Sequence, residues 1–254
     1  MTQDVSPITL LIFDCDGVLI DSEIVVCRLV GEELTRLGYP VSTEETIRRF
    51  AGRPEREMVA DIEADWGRPL PDEFFARVKA RTEAAYATEL RAVPGVAEAL
   101  DDLRVPVCVA SSSYPEKLRL GLDAVGLLDR FGPDVISAYV VAHGKPAPDV
   151  FIYAAGWMRT PVDECLVVED STHGVHAARS AGMRVLGFTG GQHCGPDHGD
   201  RLLEAGAERV FDDFRDLAGL VASAGVDAPA LVRKTNALPA PDDFSLAPML
   251  LSQD

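Results

Sequence analysis

Two aspartates stand two residues apart at the end of an apolar segment near the start of the chain. The segment is Leu10–Phe13, and Asp14 and Asp16 follow it before Gly17. Side chains at positions i and i+2 of an extended chain point to the same side, so both carboxylates could act on one substrate. Asp-Gly is also a common turn signal, so the short DxDG string alone leaves a turn and a chemical site about equally open.

A run of hydroxyl side chains follows a second apolar segment. Val107–Ala110 is followed by Ser111, Ser112 and Ser113, whose hydroxyl and backbone N–H groups are suited to holding phosphate oxygens. A serine just before a Tyr-Pro pair is also typical of a helix N-cap. We therefore expect phosphate contacts from this run and a capping role for Ser113.

A lysine and two acidic residues complete the group of candidate site residues. Lys145 lies in a proline-flanked loop, where the restricted backbone would help to aim the ammonium group. Glu169 and Asp170 follow the apolar segment Cys165–Val168, and an unpaired charge at the end of a buried strand is costly. Carboxylate oxygens together with phosphate and water suit Mg²⁺. The four clusters therefore predict a site for magnesium and phosphate.

The elements that would position these residues follow an α/β pattern, because short segments rich in Val, Ile and Leu alternate with helical ones. The six predicted strands are Thr9–Phe13, Val107–Ala110, Val135–Ser137, Cys165–Val168, Arg184–Phe188 and Arg209–Phe211. The helices predicted between them are Val96–Leu103, Pro115–Val125, Asp149–Gly156, Thr172–Ala181 and Asp200–Ala205. Open α/β sheets bind ligands at the carboxyl ends of their strands, where the polar clusters fall.

A helical region from about residue 23 to residue 89 interrupts this alternation. Ser42-Thr43-Glu44-Glu45 is a capping box, and Pro71-Asp72 would open a further helix. We predict an α/β core of residues 1–20 and 90–225, an inserted helical domain of residues 21–89, and a proline-rich tail of residues 226–254. The tail is predicted to be mobile or loosely docked, with an anchor on a partner subunit as the alternative.

The bulk composition is that of a globular protein with an acidic surface. The 254 residues carry a formal net charge of −17, which disfavours nucleic acid and anionic membranes as partners. Five cysteines lack CxxC spacing, and no apolar segment reaches the roughly 18 residues of a membrane span. We therefore expect a cytoplasmic protein, monomeric or weakly homo-oligomeric, that acts on a small molecule.

The order, spacing and strand context of the four clusters resemble the four motifs of the haloacid dehalogenase superfamily, in its phosphatase branch with a helical cap, over about residues 8–222. The resemblance implies a Rossmann-like parallel sheet and a Mg²⁺-dependent phosphatase acting on small phosphorylated metabolites, with sugar phosphates first. It implies that Asp14 is the nucleophile that forms an aspartyl-phosphate. Asp16 would be the general acid and then the base, and would start protonated.

The resemblance also implies roles for the remaining residues. The phosphate contacts it implies are Ser111, Ser112 and Lys145, of which Lys145 also orients Asp14. The metal ligands it implies are Asp14, Asp16 through its carbonyl oxygen, Asp170, and Glu169 directly or through water. In the inserted region, Glu23 and Arg53 are candidate substrate contacts, with Arg53 facing a second anionic group.

Two alternatives to hydrolysis stay open. A β-phosphoglucomutase-like sugar phosphomutase would carry a histidine about ten residues after the acid/base aspartate. This chain has Val26 there, which favours water as the acceptor and similarity to the 6-phosphogluconate phosphatase-like subgroup. The second alternative is a non-catalytic phosphate-binding regulatory protein with the same fold. The segment with His193, Cys194 and His198 is predicted to be a loop rather than a zinc site. His173 is predicted to lie on a helix surface, with a position lining the site as the alternative.

Overall fold

A six-stranded parallel sheet forms the centre of the protein. The computed structural model describes residues 6–53 and 55–225. Its strands are β1 (Leu10–Phe13), β2 (Val107–Ser111), β3 (Val135–Ser137), β4 (Cys165–Glu169), β5 (Arg184–Phe188) and β6 (Arg209–Phe211). Their spatial order is β3-β2-β1-β4-β5-β6, and every neighbouring pair is parallel. β1 therefore lies between β2 and β4, the strands that precede the other acidic and hydroxyl clusters.

The apolar sequence of β1 follows from its burial on both faces. Leu11 and Phe13 belong to the hydrophobic cluster on one face of the sheet, and Leu10 and Ile12 to the cluster on the other. All four residues are 0% exposed. A parallel strand covered on both sides reads as a continuous apolar run rather than an alternating one, which is why the strands were recognisable.

Seven helices within the described residues lie outside the segment of residues 21–89 and accompany the sheet. They are α5 (Val96–Asp102), α6 (Pro115–Ala124), α7 (Leu128–Phe131), α8 (Asp149–Trp157), α9 (Thr172–Ser180), α10 (His198–Ala205) and α11 (Leu217–Ser223). The predicted α/β fold class is confirmed, and the predicted elements agree with the structure to within two residues. The short helices α7 and α11 were not predicted, because one or two turns contain too little periodicity.

Four helices lie between β1 and α5 along the chain, and we call them the insert. They are α1 (Ser22–Arg36), α2 (Thr43–Phe50), α3 (Glu55–Trp66) and α4 (Phe74–Tyr86). The insert has its own apolar cluster, which includes Leu34, Ile62 and Phe74. Ser42 caps α2 as expected, since its hydroxyl oxygen accepts a hydrogen bond from the backbone N–H of Glu45 at 3.1 Å.

The two segments that connect the insert to the sheet pair with each other. Ile20 and Ala92 form an antiparallel bridge, and the backbone N–H of Val93 donates to the carbonyl oxygen of Leu19 at 3.0 Å. Asp21 extends the contact, because its carboxylate accepts from the backbone N–H of Gln192 at 3.1 Å. The loop after β5 is thereby tied to the base of the insert.

None of the helices in the described part of the chain is both long and apolar enough to cross a lipid bilayer. The predictions for the tail, residues 226–254, fall outside the described residues.

Candidate active site

A cavity of about 670 Å³ lies between the carboxyl ends of the strands and the insert. It is lined by all nine residues that the sequence nominated: Asp14, Asp16, Glu23, Arg53, Ser111, Ser112, Lys145, Glu169 and Asp170. The topology explains the convergence, because β1, β2 and β4 are neighbours and end at the same edge of the sheet. This is the edge at which open α/β sheets bind ligands.

Asp14 and Lys145 form a buried ion pair at the end of β1. The Lys145 Nζ atom donates to Asp14 Oδ1 at 2.7 Å and to Glu169 Oε1 at 2.6 Å. Burial raises the pKa of Asp14 well above its ordinary value, against the opposing effect of Lys145, and the carboxylates of Glu169 and Asp170 raise it further. Lys145 thus fixes the Asp14 carboxylate and offsets part of the negative charge around it.

The carboxylate of Asp16 lies among hydrogen-bond donors and a lysine. The hydroxyls of Ser22 and Ser113 each donate to one of its carboxylate oxygens at 2.5 Å, and Lys117 Nζ lies 2.9 Å from Oδ1. Burial alone would raise the pKa of Asp16, but Lys117 and the two hydroxyls bring it below the ordinary value. These partners favour the ionised form of Asp16 in the absence of substrate, whereas the expected role as general acid requires a proton on it.

The prediction that Ser113 caps a helix is wrong. Tyr114 occupies the N-cap position of α6, and no side chain caps that helix. The buried carboxylate of Asp16 is a stronger acceptor for the Ser113 hydroxyl, and Pro115 at the start of α6 has no N–H to satisfy.

Lys117 was missed, because a helix lysine is normally a solvated surface charge. A signal for it existed in the sequence. Lys117 lies four residues after Ser113, in the first turn of the helix that leaves the edge carrying the site. Its Nζ atom also lies 2.9 Å from the Ser113 hydroxyl oxygen.

The hydroxyl run lies at the carboxyl end of β2, on the wall of the cavity. Ser111 ends β2 and is only 2% exposed, and its hydroxyl oxygen accepts from the backbone N–H of Ser113 at 3.2 Å. Ser112 is exposed at the mouth of the cavity. Both residues line the cavity together with Asp14.

Three buried carboxylates beside this run form a donor set for a divalent cation. One oxygen from each of Asp14, Glu169 and Asp170 lies within 4.8 Å of the other two. An all-oxygen set of this kind fits a hard cation such as Mg²⁺. Both oxygens of Glu169 are already engaged, one by Lys145 and the other by the backbone N–H of Ser171 at 2.8 Å. Asp14 and Asp170 are therefore the more accessible ligands, and a contact of Glu169 through water fits better than a direct one.

Two glycines leave the space that these carboxylates occupy. A Cβ atom on Gly174, in the first turns of α9, would lie 1.7 Å from Glu169 Oε1. Gly17 has φ of +81°, as the expected turn after Asp16 requires, and a Cβ atom there would lie 1.9 Å from Asp170 Oδ2. At both positions the backbone can lie this close to the carboxylate only because glycine has no side chain.

Two histidines hold Asp170, one from the loop after β5 and one from the start of α10. The segment before α10 is a loop as predicted, but its contact with Asp170 was not predicted. His193 Nε2 lies 2.9 Å from Asp170 Oδ2, and His198 Nε2 lies 2.6 Å from the Asp170 carbonyl oxygen. Burial alone would lower the pKa of His193, but hydrogen bonds to Asp170 and Cys194 raise it to about 11. β5 is the neighbour of β4, which places this loop at the same edge of the sheet.

The two candidate substrate contacts from the insert, Arg53 and Glu23, both line the cavity but have different hydrogen-bond partners. Arg53 lines the cavity, but its guanidinium donates to Asp61 Oδ2 at 2.7 Å and to the Arg49 carbonyl oxygen at 3.1 Å. Glu23 also lines the cavity, and its carboxylate accepts from the backbone N–H of Gly52 at 3.3 Å. Burial raises the pKa of Glu23, and the charge of Asp16 adds to the effect.

His173 lines the cavity, which is the alternative that the sequence left open beside a helix-surface position. Its side chain is 24% exposed and lines the cavity, with Nε2 3.7 Å from Glu57 Oε1 of the insert. α9 begins three residues after β4 ends, which places His173 in its first turn at the edge of the sheet that carries the cavity.

Comparisons with known proteins agree with this geometry. The sequence profile of the haloacid dehalogenase-like hydrolases matches residues 8–182. A 6-phosphogluconate phosphatase of Escherichia coli (strain K12) is 29% identical over 192 residues, covering 75% of this chain and 87% of that protein. A phosphorylated carbohydrates phosphatase of Thermotoga maritima is 33% identical over 204 residues, covering 78% and 91%.

A solved structure supports the same assignment. The crystal structure of a haloacid dehalogenase-like protein of unknown function from Agrobacterium tumefaciens str. C58 is similar with a TM-score of 0.79 and 39% identity, over 85% of this chain and 98% of that one. The predicted family and fold class are confirmed, as is the prediction of an enzyme of that family. On its sequence profile and its fold, the chain belongs to the haloacid dehalogenase-like hydrolases.

Proposed function

We propose that this chain hydrolyses small phosphate monoesters, with sugar phosphates as the first class, through an aspartyl-phosphate and with Mg²⁺. The observation that carries the proposal is the pair Asp14 and Asp16, which share one cavity and have opposite electrostatic surroundings. Two carboxylates whose pKa values diverge are suited to different jobs in one reaction. The names of the two phosphatase relatives support the substrate class.

The reaction divides into two displacements at phosphorus. In the first, a carboxylate oxygen of Asp14 bonds to phosphorus, the bond to the leaving oxygen breaks, and Asp16 gives that oxygen a proton. In the second, water attacks phosphorus, Asp16 takes a proton from the water, and inorganic phosphate leaves Asp14. The partners of Asp16 favour its ionised form before substrate binds. A phosphate monoester, with a second pKa near ~6, brings the required proton in its monoanionic form.

The surrounding residues position and neutralise the phosphoryl group. The residues that would hold Mg²⁺ are Asp14, Asp16 through its carbonyl oxygen, Asp170, and Glu169 through water. When bound, the ion offsets negative charge that develops on the transferring group. Lys145 adds a fixed positive charge beside Asp14, and the hydroxyls of Ser111 and Ser112 donate to phosphoryl oxygens.

The insert would serve as the cap of the enzyme, with residues 21–89 as one domain and residues 1–20 and 90–225 as the core. Glu23 and Phe50 of the insert line the cavity opposite Asp14, so a substrate there would be enclosed from both sides. Val26 lines the cavity as well. Its apolar side chain offers no group to retain a second sugar hydroxyl, which favours water as the acceptor.

The test is phosphate release from a panel of sugar and nucleotide monophosphates by the full chain, after chelator treatment and again with added Mg²⁺. We expect release only with the divalent ion. We expect Asp14→Asn to lose about 10³-fold or more of the turnover, because covalent catalysis depends on that carboxylate. Asp129→Asn, at an exposed aspartate of α7, is the matched control and should retain wild-type turnover.

Three measurements decide between the proposed mechanism and its alternatives. A phosphorylated peptide containing Asp14 in acid-quenched wild-type reactions would support the intermediate. Unchanged phosphatase turnover in Asp14→Asn would reject the proposed nucleophile. Conversion of glucose 1-phosphate to glucose 6-phosphate faster than phosphate release would replace hydrolysis by the mutase reaction.

A further inference from the structure

The cavity has a polar floor and a roof whose side chains are mostly apolar. The floor consists of the strand-end residues, from Asp14 to Asp170. The roof comes from α1, α2, α3 and α4 of the insert, and its apolar side chains are Val26, Val30, Phe50, Met58, Phe75 and Val78. These side chains are continuous with the apolar cluster of the insert. A leaving group bound against them loses water without gaining hydrogen-bond partners, which favours apolar over polar surface.

The lysine and arginine side chains on the cavity wall, within the described residues, already have acidic partners. The pairs are Lys145 with Asp14 at 2.7 Å, Lys117 with Asp16 at 2.9 Å, and Arg53 with Asp61 at 2.7 Å. Lys145 lies beside the phosphoryl position and serves the transferring group. A second anionic group on the substrate would therefore have to break the Lys117 or the Arg53 pair to find a cation.

Carboxylates of the insert strengthen this effect. Glu23 of α1 and Glu55 of α3 line the cavity, in addition to the four strand-end carboxylates. Six carboxylates thus face three lysine and arginine side chains around the described cavity. An anionic substituent far from the transferring phosphate would meet like charge, and unfavourable juxtaposition of this kind costs binding free energy.

We infer that the enzyme selects phosphate monoesters whose leaving group carries no second anionic group and presents apolar surface to the roof. This inference rests on the proposed phosphatase function and specifies its substrate class. It excludes 6-phosphogluconate as the preferred substrate, because that compound has a carboxylate in addition to its phosphate. A cavity of about 670 Å³ is large enough for a leaving group of sugar size or larger.

The charge part of the inference is tested with two open-chain substrates that differ at one carbon. Glucitol 6-phosphate and 6-phosphogluconate have the same six-carbon chain and phosphate, but the first has a hydroxymethyl group at C1 where the second has a carboxylate. With the full chain and Mg²⁺, we expect kcat/KM for glucitol 6-phosphate to be about tenfold higher or more. An equal or higher kcat/KM for 6-phosphogluconate would overturn the inference.

The expected preference for apolar surface is tested with a second pair of substrates, which have similar lengths. In n-pentyl phosphate a terminal methyl group replaces the hydroxyl of 4-hydroxybutyl phosphate. We expect n-pentyl phosphate to have a KM about threefold lower or more, because burial of a methyl group against the roof is favourable and burial of an unpaired hydroxyl is not. A preference for the hydroxylated ester would contradict the apolar roof as a binding surface.

Two variants separate a local effect of charge from the net charge of the protein. Glu55→Gln removes a carboxylate from the cavity wall and should reduce the discrimination against 6-phosphogluconate about threefold. Glu73→Gln removes an exposed carboxylate of the insert outside the cavity and should leave the discrimination unchanged. Equal effects of the two variants would reject the assignment to the cavity wall.

The failure of this inference can be told from failure of the proposed function. Phosphate release that favours 6-phosphogluconate or the hydroxylated ester rejects the substrate class and leaves the phosphatase proposal standing. The absence of phosphate release from all four esters rejects both.

Discussion

Asp14 and Asp16 are chemically identical side chains two residues apart, and their neighbours make them different. Asp14 shares its space with the carboxylates of Glu169 and Asp170, whereas Asp16 accepts hydrogen bonds from hydroxyls and is paired with Lys117. Divergent pKa values of this kind are the usual sign of divided roles in a two-carboxylate site. The division here is produced by residues from α6 and β4, and not by the DxDG string itself.

Asp170 provides a test at the scale of single residues. His193 is its buried partner, with a side chain only 3% exposed, and His193→Ala leaves the carboxylate without that partner. We expect the free energy of unfolding of metal-free protein to fall by about 3 kcal/mol. The measurement is urea denaturation with and without Mg²⁺. The loss should be smaller with Mg²⁺, because the cation replaces the imidazolium as the partner of Asp170.

The matched control is His176→Ala on the exposed side of α9, which should change stability by less than about 0.5 kcal/mol. A His193→Ala effect that is the same with and without Mg²⁺ would mean that His193 acts through packing alone. Such a result would remove the argument that it is the electrostatic partner of Asp170.

At the scale of elements, the predictable part of the fold was the part buried on both sides. β1 and β4 are continuous apolar runs, and the strand-end rule then placed Asp14 and Asp170 at one edge. The contact between His193 and Asp170 was not predictable in the same way. It depends on β5 lying next to β4 and on the conformation of a glycine-rich loop, neither of which the local pattern determines.

The N-terminal turns of α9 provide a test at this scale. Gly174 packs against Glu169, and a Cβ atom would overlap the carboxylate at 1.7 Å from Oε1. Gly174→Ala must therefore displace Glu169 and disturb its contact with Lys145. We expect a loss of about 2 kcal/mol or more in the free energy of unfolding and reduced phosphate release. Chemical denaturation and steady-state assays of the purified variant measure the two effects.

Gly156 on α8 is the matched control, because a Cβ atom added to this helical glycine would enter open space, with no neighbouring side chain within 4 Å. A substitution there reports helix propensity alone. Gly156→Ala should stabilise the protein by about 0.5–1 kcal/mol, as alanine does in helices. If Gly174→Ala behaved like Gly156→Ala, the tight packing of α9 against Glu169 would not exist in solution.

At the scale of the whole molecule, the site concentrates like charge in the interior of a protein that is already acidic, with a formal net charge of −17. Asp14, Glu169 and Asp170 share a space with one ammonium group, that of Lys145. Active sites arranged for a cation and a substrate are often unfavourable for the stability of the empty protein. The metal-free fold should therefore gain stability when one of these charges is removed.

Asp14→Asn tests this gain. Because the folded-state pKa of Asp14 is raised, ionisation opposes folding at neutral pH, and the neutral amide avoids this penalty. We expect the variant to be more stable than the wild type in metal-free buffer at pH 7, by on the order of 1 kcal/mol or more. Thermal or urea denaturation measures the difference, and added Mg²⁺ should narrow it, since the ion binds the folded wild type more tightly.

The pH dependence distinguishes this electrostatic cause from better packing. Below the unfolded-state pKa of about 3.9, Asp14 is protonated in both states and ionisation costs nothing. As the pH rises from there towards the raised folded-state pKa, the wild type loses stability that the variant keeps. The advantage of Asp14→Asn should therefore grow across this range. A constant advantage at every pH would point to packing, and Asp129→Asn at an exposed position should show no such gain.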